Sequence, residues 1–174
     1  MILVASLMED LINILDKENS EYEILLELST RKTPIIVSGK LKELEKITDE
    51  EQIVVSRINP LEQRRASLMK DIANVINKDV KTLKLVNLIQ MLEKRPQEQK
   101  KLAEVHDKLQ ITMKNMVRVN NHNRELIQIS KDMVEFDLTM VRAMKTAPET
   151  ANYNKGAFVA GTVMGSDTSF DAKQ

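Results

Sequence analysis

The feature that most constrains the fold is an uninterrupted helical stretch, predicted from Gln97 to Lys145. It follows Pro96, a residue suited to a first helical turn, and it stops before Pro148, which cannot continue a helix. No glycine or proline lies between them. Such a helix is roughly 73 Å long, whereas a compact domain of this chain length spans only about 40 Å. The sequence therefore predicts an all-α fold: an elongated antiparallel helical bundle with coiled-coil-like long helices.

The second half of this stretch carries an unusually wide apolar surface. At about 100° per residue, ten apolar residues cover an arc of roughly 200°, where one neighbouring helix needs only about 100°. They are Leu126, Ile127, Ile129, Met133, Val134, Phe136, Leu138, Met140, Val141 and Met144. Either the chain wedges this segment between two of its own helices, or part of the arc binds a foreign helix. Flexible methionines suit a foreign partner but are also common in cores, so the pattern leaves both interpretations open.

Composition agrees with long helices in a single domain. Aromatic residues make up 3% and charged residues 30% of the chain, which is typical of long-helix proteins. The formal net charge is zero, which argues against binding to nucleic acid or to anionic membranes. With no cysteine, the chain has no disulfide framework and no thiolate metal site. We expect neither a signal peptide nor a membrane-inserted helix, and hence a cytoplasmic protein.

Three further helices are expected before the long one. The first spans about Leu3 to Arg31 and ends at a turn bracketed by Pro34 and Gly39. Its apolar seam is interrupted by Glu18 and Glu21, whose carboxylates are either hydrated or paired with a base.

The second helix is expected from about Lys40 to Asn77, with a kink at Pro60. Thr48 and Glu51 have the spacing of a capping box, which would place a break near Ile47. The third is expected from Val80 to Glu93, with Asp79 as its N-cap.

Residues 147–174 differ from the helical domain predicted for residues 1–146. They contain three of the four glycines, which predicts a flexible tail. They also contain three of the five aromatic residues, Tyr153, Phe158 and Phe170. Loose docking of these rings on the apolar arc therefore stays an open alternative.

Catalytic and metal-binding patterns are missing from the sequence. His106 and His122 are 16 residues apart on the long helix, roughly 160° around its axis, so they cannot share a metal. The paired carboxylates are adjacent in sequence, a spacing that does not build a facing acid–base pair. We expect no enzyme activity and no cofactor.

A run of weak helix formers, Asn120-Asn121-His122-Asn123, lies inside the long helix. It fits a kink, a polar layer that fixes register, or a partner contact. Asn123 lies nearly in line with Ser130 and Asp137, so the three predict a polar strip down the middle of the apolar arc. When covered, the strip needs hydrogen-bond partners from a foreign helix or a neighbouring helix of the chain.

The run begins an N-x-x-N-x-x-L-I signature, formed by Asn120, Asn123, Leu126 and Ile127, that resembles the FlgN family of flagellar export chaperones. The Leu/Glu-rich opening helix, the segment Gly39-Lys40-Leu41-Lys42-Glu43-Leu44 and the spacing of Leu61, Arg65 and Leu68 are also similar to that family. The resemblance covers about residues 3–145.

The resemblance implies a chaperone for hook-filament junction (hook-associated) proteins, which holds their helical terminus and delivers them to the flagellar export gate. It places client binding on the last part of the long helix and implies an export-gate contact at Tyr153. The client-binding residues predicted are Asn123, Leu126, Ile127, Ser130, Met133, Val134, Leu138, Met140, Val141 and Met144. The alternative function is a self-associating coiled-coil structural or scaffold protein, and a homodimer is left open.

Overall fold

The computed structural model describes residues 2–93 and 95–146, and within these ranges it contains four α-helices and no strand. The helices are α1 (Ile2–Val37), α2 (Leu41–Val75), α3 (Leu85–Met91) and α4 (Pro96–Thr146). The predicted all-α fold is therefore confirmed, and the long helix lies within one residue of its expected bounds at each end. No described helix is both long and apolar enough to cross a membrane.

Helix α1 continues six residues beyond its expected end and passes through Pro34. The break predicted at Pro34 is therefore wrong. Proline removes one backbone donor, but Ile36 in the following turn is buried, and that burial favours a longer helix. The helix ends at Val37, and Gly39, two residues further on, has a φ of 65°. The amides of Gly39 and Lys40 donate to the carbonyls of Ile36 and Ile35, as in a Schellman cap, so the expected glycine cap is confirmed.

Helix α2 runs without a break past Ile47 and Pro60. The capping box suggested by Thr48 and Glu51 is wrong, because the Thr48 hydroxyl donates to the Leu44 carbonyl at 2.7 Å inside the helix. Ile47 is buried, so packing holds the chain helical where local spacing favoured a start.

Helix α3 is shorter than expected and begins at Leu85 instead of Val80. Asp79 accepts a hydrogen bond from the Lys81 amide at 2.9 Å, and the Thr82 amide donates to the Asp79 carbonyl at 3.2 Å. Asp79 therefore organises a turn before the helix and is not its N-cap.

Side-chain pairs define the directions of the long helices. Glu18 and Ser29 of α1 pair with Arg65 and Glu51 of α2, so these two helices are antiparallel. Between α1 and α4 the paired numbers rise together, from Asn19–Thr112 to Ser29–Asn123, so these two helices are parallel. The long helices thus alternate in direction along the chain.

Two apolar clusters form the core. The first contains residues of all four helices and of the segments that flank α3: Met8, Leu11, Leu15, Ile72, Ala73, Leu83, Leu88, Leu92 and Leu102. The second combines residues of the three long helices: Leu25, Leu28, Ile47, Val54, Ile58 and Met116.

A polar layer separates the two clusters along α1. Glu18 is 1% exposed, and its carboxylate accepts a hydrogen bond from Nε of Arg65 at 3.0 Å. Burial raises the pKa of Glu18 above its ordinary value, while the Arg65 charge and hydrogen bond oppose that rise. Beside it, the buried Thr112 hydroxyl donates to Oδ1 of Asn19 at 2.9 Å. The seam carboxylates are thus paired with bases, since Glu21 also contacts Arg57 at 2.9 Å.

The chain divides into two compact units, residues 1–131 and residues 132–174, and the boundary falls inside α4. The first unit holds both clusters and the polar layer. The described part of the second unit is the helical segment 132–146, in which every residue is exposed.

Candidate protein-binding surface

Asn123 is the last buried residue of α4 and is 5% exposed. Its Nδ2 donates to the carbonyl of Ser29 at 2.8 Å, and its Oδ1 accepts from the hydroxyl of Thr33 at 2.7 Å. Both partners belong to α1. Of the two partners that the sequence left open for this amide, the structure shows the neighbouring helix of the same chain. Asn123 therefore fixes the register of α4 on α1 and is not on the exposed surface.

Ser29 joins all three long helices at this level. Its hydroxyl donates to Oε1 of Glu51 in α2 at 2.7 Å, while its carbonyl accepts from Asn123 in α4. The other oxygen of Glu51 pairs with Nζ of Lys32 at 2.8 Å. This second polar layer satisfies its buried groups within the chain and gives the bundle one defined alignment.

Beyond this layer, every residue of α4 from Ile127 to Thr146 is exposed. Nine large apolar side chains in this segment are between 44% and 70% exposed: Ile127, Ile129, Met133, Val134, Phe136, Leu138, Met140, Val141 and Met144. Internal wedging, the first of the two interpretations of the wide arc, is therefore not what the structure shows. The arc is an apolar surface of a kind that marks protein interaction sites.

The predicted client-binding residues do not all have the same surroundings. Leu126 is half-buried, and Ser130 is exposed, with its hydroxyl donating to the Leu126 carbonyl at 2.9 Å. Seven of the others, Ile127, Met133, Val134, Leu138, Met140, Val141 and Met144, lie together on the exposed segment. Asn123 is the member that the structure separates from them. Tyr153, Phe158, Phe170 and the predicted tail lie outside the described residues.

Two exposed residues were placed on the arc but left out of the predicted binding set. Ile129 and Phe136 are 56% and 64% exposed, on the same segment as the others. Phe136 is the largest apolar side chain there, and its helical position already indicated membership of the surface. The α1 partners of Asn123 were also missed, because one sequence carries no signal for a contact between residues 90 positions apart.

Charged side chains occupy the opposite side of this segment. Asp132, Glu135 and Arg142 lie outside the apolar arc in helical projection, whereas Lys145 projects at the same angle as Ile127, inside the arc at the end of the helix. Within the arc, Asp137 is the one acidic side chain. The surface is therefore apolar with a single negative group.

Other parts of the described chain offer little for chemistry. No group of three or more histidine, aspartate or glutamate residues that could hold a metal occurs among the described residues. A cavity of about 490 Å³ lies between α1 and the start of α4, with Glu9, Glu98 and Lys101 in its wall. It is open and polar, and it contains none of the predicted client-binding residues.

Comparison with protein families matches most of the chain. A family model described as FlgN protein matches residues 1–157, which include all four helices and the whole exposed surface of α4. No curated protein and no solved structure matches the chain.

Proposed function

Because the chain belongs to the FlgN family of flagellar export chaperones, we propose that its exposed α4 surface binds the helical terminus of a hook-filament junction protein. Membership of the family implies binding of flagellar hook-associated proteins. What we propose is the surface that binds them and the helix-on-helix mode of binding. Its main support is the run of exposed apolar side chains after Asn123, an amphipathic surface suited to a second helix. Covering the client's own apolar face would keep that client from associating before secretion.

In this proposal the exposed surface binds the client, and the buried bundle stabilises the fold. The two apolar clusters and two polar layers hold α4 in register on α1 up to Asn123. The segment after Asn123 contributes no residue to either cluster. A charged substitution there should therefore change binding and leave folding almost unchanged.

The test compares two matched pairs of substitutions on the same helix. Ile127→Glu with Val134→Glu alters the apolar arc, and Ile111→Glu with Val117→Glu is the control. Val117 and Val134 are 56% and 57% exposed, and Ile111 is also exposed, but the control pair lies outside the arc. Each pair introduces the same charge, so a general effect of charge appears in both.

Complete burial of a valine or isoleucine is worth about 1.5–3 kcal/mol, and Ile127 and Val134 are already about half buried. If the client buries the rest of both side chains, losing that burial weakens the binding free energy by roughly 2 kcal/mol, or about 30-fold in Kd. Calorimetric titration with hook-associated proteins of the same organism should show this loss in the arc variant only. Equal affinities of the two variants, or cooperative unfolding of the arc variant, would refute the assignment of the surface.

The second part of the proposal is that the chaperone acts in the cytoplasm and delivers its client to the flagellar export gate, with Tyr153 as the gate contact. This part is supported by the family resemblance alone. Tyr153→Ala should preserve client affinity and reduce client secretion. Normal secretion in that variant would remove Tyr153 from the proposal without affecting the client-binding surface.

A further inference from the structure

A single carboxylate lies in the middle of the exposed apolar surface of α4. The four residues nearest to Asp137 on the helix surface, at i±3 and i±4, are Met133, Val134, Met140 and Val141. All four are apolar, and all are between 45% and 63% exposed. None can form an ion pair with Asp137. A helix that covers these four side chains necessarily covers the carboxylate as well.

Asp137 belongs to a series of residues spaced seven apart along α4. Residues at seven-residue intervals along α4 are Leu102, Leu109, Met116, Asn123, Ser130, Asp137 and Met144. Leu102, Met116 and Asn123 of this series are buried in the bundle. The series is therefore the one through which α4 faces a neighbouring helix, and Asp137 occupies the position that a docked helix approaches most closely.

Within the bundle, buried polar side chains are satisfied from the facing helix. The Glu18 carboxylate is met by Arg65 of α2, Thr112 by Asn19, and Asn123 by Ser29 and Thr33 of α1. A carboxylate covered by an apolar helix without such a partner would be strongly unfavourable. A facing helix that supplies a cation, as α2 supplies Arg65 to Glu18, removes this cost.

We propose that the helix bound on this surface carries a lysine or arginine within its apolar face, positioned opposite Asp137. This inference rests on the proposed function, because it assumes that a client helix covers the surface. It adds the chemistry by which the client is selected: apolar contacts supply affinity, and the basic residue selects partner and register. An amphipathic helix without that charge would bind less well.

The same charges argue against a second copy of this chain as the occupant. Arg142 and Lys145 are the basic residues of segment 132–146, and Arg142 lies outside the arc. An antiparallel pair that brings Lys145 to Asp137 is centred on Val141, so within the described helix it overlaps only over residues 136–146. In other registers, the side chains of the arc that face Asp137 carry no positive charge. A client helix with its basic residue inside the apolar face can cover the whole surface and also place a cation opposite Asp137.

The test uses three synthetic amphipathic helices about 20 residues long, the length of the exposed segment. They differ only at the centre of the apolar face, which carries lysine, leucine or glutamate. Fluorescence anisotropy measures their Kd values for the full-length chain and for Asp137→Leu, Asp137→Lys and Glu135→Lys. The last variant makes the same charge change outside the arc and serves as the matched control.

The wild-type chain and Glu135→Lys should bind the lysine peptide roughly tenfold more tightly than the glutamate peptide. Asp137→Lys should reverse that order, and Asp137→Leu should prefer the leucine peptide. A wild-type preference that Asp137→Leu retains, or no binding of any peptide to the wild-type chain, would overturn the inference. So would a wild-type dimer that dissociates on the Ile127→Glu, Val134→Glu substitution, since it would assign the surface to a second copy.

Failure of this inference is distinguishable from failure of the proposed function. If the arc variant loses the hook-associated client while the three peptides show no dependence on residue 137, only the role of Asp137 is wrong. If the arc variant keeps full client affinity, the location of the client surface is wrong, whatever the peptides show.

Discussion

Replacing Asn123 with alanine should destabilise the bundle by about 1–3 kcal/mol, because two hydrogen bonds of a buried side chain are lost. Each hydrogen bond contributes about 0.5–1.5 kcal/mol net to the free energy of unfolding. The bonds are those from Nδ2 to the Ser29 carbonyl at 2.8 Å and from the Thr33 hydroxyl to Oδ1 at 2.7 Å. The loss is limited because the Thr33 hydroxyl also contacts the Ser29 carbonyl, at 3.4 Å, so it keeps an acceptor.

Denaturant unfolding followed by far-UV circular dichroism measures this change. Asn121→Ala is the matched control, because Asn121 is exposed on the same helix and the substitution brings the same gain in helix propensity. Its free energy of unfolding should stay within about 0.5 kcal/mol of the wild-type value. Thr33→Val removes one of the two hydrogen bonds that Asn123→Ala also removes. The losses in free energy of unfolding caused by the two substitutions should therefore not be additive.

The double variant Thr33→Val, Asn123→Ala should be more stable than the sum of the single losses predicts, by about 0.5–1.5 kcal/mol. Full additivity, or equal unfolding midpoints for Asn123→Ala and Asn121→Ala, would show that the amide does not hold α4 against α1. Client affinity of the folded Asn123→Ala chain should equal that of wild type, because the side chain is buried within the chain.

Two further substitutions test the first polar layer and the helix cap. Burial raises the pKa of Glu18 above 4.5, so the stability that its protonated form contributes is present below pH 4.5 and is lost as the pH rises through the folded-state pKa. Wild type should therefore lose stability relative to Glu18→Gln as the pH rises from 4.5, and a pH-independent difference in unfolding free energy would contradict this. Gly39→Ala should destabilise by about 1 kcal/mol because its φ is 65°, although a Cβ would meet no atom within 4 Å. Gly39→Asn should lose less in the same denaturant titration, since asparagine tolerates that conformation, and a Gly39→Ala chain as stable as wild type would refute the cap.

The long helix was predictable because its limits are set by local chemistry. Pro96 suits a first turn and Pro148 cannot continue the helix, and the structure places α4 at Pro96–Thr146. The exposed apolar arc was visible for a similar reason, since helical periodicity alone gives its width. Whether the arc is covered by the chain itself depends on where the other helices end, which periodicity does not reveal.

The features that escaped prediction are those in which tertiary packing outweighs a local rule. Pro34 was expected to end α1, but the helix continues to bury Ile36 and ends at the Gly39 cap. Thr48 and Glu51 have capping-box spacing, yet the buried Ile47 keeps that segment inside α2. The partner of Asn123 lies on α1, 94 residues away for Ser29. A single sequence showed that the amide needs a partner and could not say which helix supplies it.

The exposed end of α4 also bears on how long a client would stay bound in the proposed function. From Ile127 to Thr146 the helix is exposed throughout, and a peptide helix of that length is only marginally stable in water. Its amides should exchange with deuterium through local fraying, much faster than those of the buried turns around Leu102 and Met116. Under the proposed function, a bound client would suppress this fraying, and the resulting entropy loss would oppose association without weakening any contact. Fraying from the C-terminal end of α4 would also give dissociation a stepwise route, so that such a complex could separate while the bundle stays folded.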